Sequence, residues 1–145
     1  MADIINQLMQ TTAPVPDLDN LLPQMLGDRR FIQSGRRRYQ AVIDGIKVGI
    51  AIAWKPAGYA NYGLNQEDMA KLLFLKQEKK FDEVFVVFAT AGETYGTAEY
   101  VGHRDAAEVD KSLETIKPRQ GPGGDYWLLR DDFLPLDFQP RIRGW

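Results

Sequence analysis

Arg36, Arg38, Lys47 and Lys55 are the side chains that type and spacing best suit for chemistry. Guanidinium and ammonium groups take phosphates and carboxylates through charge-assisted hydrogen bonds, so a cluster of them predicts an anion-binding surface. They belong to a stretch, 29–55, with five Arg and two Lys against Asp44 alone, a local charge of +6. The whole chain has 18 basic and 20 acidic residues, net −2, so the remainder (eleven basic, nineteen acidic) carries −8. That asymmetry within 145 residues says more about partners than the sum does.

Groups suited to catalysis are sparse. There is one histidine, His103, and no cysteine, which leaves no thiolate nucleophile, disulfide or Cys/His zinc set. His103, in "YVGHRD" at a strand-to-helix junction, reads as a helix-start residue rather than a general base. No Gly-x-Ser-x-Gly elbow accompanies it. "GRRR" and "GPGG" lack the spacing of a phosphate-binding loop, and "ATAGETYG" is not followed directly by a helix start, against a dinucleotide site. Asp131, Asp132 and Asp137 cluster near the C-terminus and read as a solvated or partner-facing edge rather than a divalent-ion site. Around them, Trp127, Phe133, Phe138 and Trp145 are large anchors of the kind that carry binding energy at protein interfaces. No metal or cofactor is expected from these residue types.

The basic residues are positioned by a hairpin. In "SGRRRYQAVIDGIKVGIAIAWKP", Ser34 to Pro56, Asp44-Gly45 between two alternating runs is a strong two-residue turn signal. The register follows: Ile43 faces Ile46, Ala41 faces Val48, Tyr39 faces Ile50 and Arg37 faces Ile52. One face is then apolar. The other collects Arg36, Arg38, Gln40 and Val42 with Lys47, Gly49, Ala51, Ala53 and Lys55, so charge rims a floor of small residues. Either a helix or arm of the same protein packs closely on that floor, with the N-terminal arm as a suitable cover, or an extended anion lies on it.

Around the hairpin, residues 1–35 read as an N-terminal arm, 36–130 as an α/β core domain and 131–145 as a C-terminal tail. Asn65 with Asp68 in the capping-box position starts a helix to about Lys80, and "EVFVVFA" reads as a central strand covered on both sides. "TYGTAEYVG" is the next strand, Asp105 with Glu108 opens a second helix facing inward through Val109, Leu113 and Ile116, and "DYWLLRDDF" reads as a last strand. The fold class is α/β (α+β): a single mixed sheet in the order ββαββαβ, helices packed on it, with irregular terminal arms. A composition of 44% hydrophobic and 26% charged residues fits one globular domain, and no apolar run is long enough to span a membrane. The start lacks a signal-peptide pattern, so a cytoplasmic location is the expectation.

Asp44 on a hairpin and a following strand ending "IAIAWK" resemble the PD-(D/E)XK nuclease superfamily over about residues 36–89. That resemblance implies a Mg²⁺-dependent nuclease in which Asp44 and a second acid hold the metal and Lys55 activates water. The position matching the second acid is Ala53, which cannot bind metal; some members carry that acid on the following helix, where Glu67 or Asp68 could serve. The missing acid decides the expectation the other way. It is a non-enzymatic binding or assembly protein of phage or mobile-element type. Its basic hairpin face, Arg36, Arg38, Gln40, Lys47 and Lys55, takes an anionic partner such as nucleic acid, and its apolar arms contact protein. Homo-oligomerisation by exchange of arms is the third reading.

Overall fold

The computed structural model describes residues 32–35, 37–43, 45–91 and 98–130. Most of both expected arms, Arg36, Asp44, the acidic cluster and the anchors Phe133, Phe138 and Trp145 lie outside the described residues. The described elements run β1 (Ile32–Gly35), β2 (Arg38–Ile43), β3 (Ile46–Lys55), β4 (Tyr62–Asn65), α1 (Gln66–Gln77), β5 (Glu83–Ala91), β6 (Ala98–Asp105), α2 (Ala106–Leu113) and β7 (Tyr126–Leu129).

The chain is mixed α/β, and its seven described strands form one sheet. Their order corrects the expected ββαββαβ to ββββαββαβ. β1 falls inside the stretch assigned to the N-terminal arm; Ile-Gln-Ser-Gly has no alternation of its own and is a strand because it pairs with β2. β4 carries a two-period pattern, Tyr62 and Leu64 buried, but four residues with a central glycine are too short to announce a strand.

β3 organises the sheet. β5 runs parallel to it along one edge from Val48↔Glu83 to Lys55↔Thr90. On the other edge β2 pairs antiparallel with its first half, and β4 meets it at Trp54↔Gly63. β6 extends the sheet beyond β5, and β7 beyond β4, both antiparallel. A parallel pair needs a crossover, and the segment holding β4 and α1 supplies it. Helix α1 starts where the sequence predicts: Asn65 Oδ1 accepts from the Asp68 N–H at 3.1 Å. It ends near Gln77, three residues before the expected limit, as Glu78 N–H bonds Phe74 O and the chain turns through Lys79 at φ 60°.

Both described helices pack on one side of the sheet. Met69 and Leu72 of α1 and Ala106, Val109 and Leu113 of α2 close over Ala51, Ala53, Val84, Val86 and Phe88. The alternate residues, Tyr39, Val48, Ile50, Ile52, Phe85 and Val87, are buried as well. His103 belongs to this second set. It sits in β6 opposite Val87, fully buried, with its ring edge-on to Phe85 at 5.7 Å. The helix-start assignment is thereby corrected: β6 continues to Asp105, and Asp105 is the cap, accepting from Ala107 N–H at 3.0 Å. Among the described residues no helix is long and apolar enough to cross a membrane.

Candidate interaction face of the hairpin

The register expected from the Asp44-Gly45 turn is the register observed. Ile43 pairs with Ile46, Ala41 with Val48 and Tyr39 with Ile50, and the Ile52 N–H bonds Arg37 O at 2.9 Å. Gly45 takes the left-handed conformation that such a turn requires, φ 81°. Arg38, Gln40 and Val42 therefore share a face with Lys47, Gly49 and Ala51, as the alternation predicts.

The small-residue floor is covered by the protein itself. A Cβ added at Gly49 would lie 2.5 Å from two carbons of the Phe81 ring and 3.1 Å from Leu72 Cδ2. Ala51 and Ala53 are fully buried beneath the same layer. The described cover is helix α1 with Phe81, a helix of the same protein as one of the sequence readings expected; the N-terminal arm up to residue 31 lies outside the described residues. No room is left along Gly49, Ala51 and Ala53 for an extended anion.

The basic residues are consequently split into three environments. Arg38, midway along the face, gives its Nε–H to Asp68 Oδ1 at 2.9 Å, and the two side chains retain only 16% and 13% exposure. Burial pushes the Asp68 carboxyl above its ordinary value, and Glu67 adds to this; the hydrogen bond and charge of Arg38, with Arg37 behind it, pull it back down. Lys55 stands at the other end of β3, half-buried, its Nζ 5.0 Å from the centre of the Tyr62 ring. Lys47 is exposed beside the turn, and its backbone is clamped by Asp82: Lys47 N–H to Asp82 Oδ2 at 2.8 Å and Asp82 N–H to Lys47 O at 2.7 Å.

What the hairpin offers to solvent is a mixed patch near its turn. Directly opposed residues of antiparallel strands share a face, so Ile32↔Gln40 and Val42↔Lys47 bring four exposed side chains together. Ile32 is 60% and Val42 54% exposed, among the few large apolar side chains left to water in the described residues. Sequence reasoning named Gln40 and Lys47 here and missed the apolar pair. Val42 was visible as the one large apolar residue on the charged face; Ile32 was not, because β1 had no pattern.

The other expected site residues do not gather. Ile43 and Gly45, which flank Asp44, close the hairpin at one end of β3, and Lys55 stands at the opposite end. Nine residue steps of extended chain lead from Ile46 to Lys55, about 30 Å at about 3.3 Å per step. Asp68 is engaged by Arg38, whose sheet partner is Ala51, and Glu67 is exposed in the first turn of α1. Among the described residues no three His, Asp or Glu side chains converge as a metal site would require. Trp127, expected at a partner contact, is a core residue: it is 8% exposed in β7 opposite Leu64, and its indole N–H donates to Ile116 O at 3.2 Å. Its place in a two-period strand turns the ring inward, which overrides the interface preference of the residue type.

Comparison of the chain with protein-family models, with curated proteins and with solved structures finds no match in any of the three.

Proposed function

We propose that this protein is a non-enzymatic binding module that docks an anionic partner on the hairpin patch of Ile32, Gln40, Val42 and Lys47. The observation that carries the reading is the pairing of two exposed aliphatic side chains with a lysine and an amide on one rigid stretch of sheet. Apolar area supplies affinity when it leaves water, and the lysine and its basic neighbours in the sequence supply charge selection. A surface mixed in this way favours an acidic protein segment over a bare phosphate backbone, which would leave Ile32 and Val42 unused. The sheet beneath is held by β2–β3 pairing and by the Asp82 clamp, so little ordering is required on binding.

The test is fluorescence anisotropy with two labelled probes, polyglutamate and a single-stranded DNA oligonucleotide, each across a salt series. Binding of polyglutamate at low salt, weakened by Lys47→Glu and by Val42→Ser, is the expected result. Equal binding by the wild type and both variants would remove the patch from the interaction. Tighter binding of DNA, weakened by Lys47→Glu but insensitive to Val42→Ser, would transfer the role to nucleic acid.

A further inference from the structure

The hairpin face contains a basic position, Arg38, that its own chain has already claimed. Arg38 precedes Gln40 and Val42 in the same alternation, so β2 presents it to the side on which the patch lies. Its guanidinium does not point outward. It crosses to the first turn of α1 and meets Asp68, thirty residues away in sequence. β1 is shaped to permit this: a Cβ on Gly35, the residue paired with Arg38, would lie 2.7 Å from Nη2, 2.8 Å from Nε and 2.9 Å from Cζ. The guanidinium therefore lies against the bare backbone of the adjacent strand.

We propose that Asp68 is an internal competitor for Arg38, occupying the guanidinium that an anionic partner on the hairpin patch would otherwise take. This rests on the patch being an anion-binding surface. Two features make the exchange chemically reasonable. The partner's carboxylate would replace another carboxylate, so the guanidinium keeps the same type of bond. Asp68, once released, remains in the first turn of α1, where the helix dipole favours a negative charge and the Asn65 cap is still made through the Asp68 backbone. Arg38 has only to rotate its flexible stem, starting two residues from Gln40 on the same strand face. Affinity of the patch is then set by an intramolecular ion pair, and anything that neutralises Asp68 strengthens it.

The experiment measures polyglutamate binding by anisotropy for the wild type, Asp68→Asn, Arg38→Ala and the double variant, each checked for folding by thermal melting. Asp68→Asn preserves the shape of the side chain and is expected to tighten binding about threefold to tenfold, the worth of one additional charge-assisted contact. Arg38→Ala alone is expected to bind like the wild type, because its guanidinium is occupied, and the double variant to lose the gain. If the gain persists without Arg38, removal of a negative charge explains it and the competitor role fails. A loss in Arg38→Ala as large as in Lys47→Glu overturns it too, since Arg38 would already be in contact. Wild-type binding unmoved by Asp68→Asn rejects the competitor alone, whereas silence of every variant rejects the anion-binding patch with it. A second readout follows the guanidinium itself: the Arg38 Nε–H signal in ¹⁵N NMR should shift on addition of polyglutamate to Asp68→Asn and not to the wild type, and an unmoved signal in Asp68→Asn at saturation counts against the exchange.

Discussion

Asp68 keeps a carboxyl group where desolvation works against its charge. Its folded-state pKa lies above the ordinary 3.8, first because of burial, with Glu67 adding and Arg38 and Arg37 opposing. In the window from 3.8 up to that raised value the folded chain binds more protons than the unfolded chain, so stability falls as pH rises. The favourable contribution is complete below the unfolded value and is lost on passing through the folded one. Urea unfolding from acid to neutral pH should therefore show Asp68→Asn gaining on the wild type as pH rises; the opposite trend would mean that Arg38 outweighs burial. Gly49 presents a steric counterpart. Because its missing Cβ is the space taken by the Phe81 ring, Gly49→Ala should cost about 1–3 kcal/mol in overpacking, partly recovered by Phe81→Leu. Both residues illustrate what sequence could and could not say. Gly49 was legible as part of a small stripe on a known face, and Asp68 as a residue near a cap. That Phe81 fills the one and Arg38 engages the other depends on contacts about thirty residues apart, which no local pattern encodes.

At the level of elements, legibility followed the strength of local signals. The β2–β3 hairpin could be registered in advance because a two-residue turn and a two-period pattern leave one alignment that keeps Tyr39, Ala41, Val48 and Ile50 on a common face. α1 was equally plain from Asn65. Its cap should be measurable: Asn65→Ala removes the acceptor of the Asp68 N–H and should lower stability by about 1 kcal/mol. Asn65 also holds the loop before β7, donating from Nδ2 to Gly123 O at 3.3 Å, so the loss should exceed that of the isostere Asn65→Asp. β1 and β4 were not legible, since each owes its conformation to a neighbour: β1 to β2, β4 to the end of β3 and to β7. His103 was misassigned for the same reason. A polar residue beside an N-cap reads as helix entry unless it is known that β5 carries the ladder on to Asp105.

For the molecule as a whole, the decisive property is that the sheet is buried on both sides. Adjacent residues of β5 alternate between faces, yet Val86 and Val87 are both inaccessible to water. Val86 lies in the layer closed by α1 and α2, whereas Val87 faces with Ile52 and His103 to the side away from the described helices. A sheet covered on one side alone would tolerate polar residues at every second position; this one shows an unbroken apolar run from Val84 to Ala89. Val86→Ala and Val87→Ala each delete two methyl groups from a fully buried site, so each should cost about 2 kcal/mol. Chemical denaturation of the two variants, with Lys47→Ala as an exposed control, checks this at the level of the fold. Comparable losses from the two valines would establish that both faces of the sheet are packed in the isolated chain. A loss confined to Val86→Ala would instead identify the face away from the described helices as the one that another molecule covers.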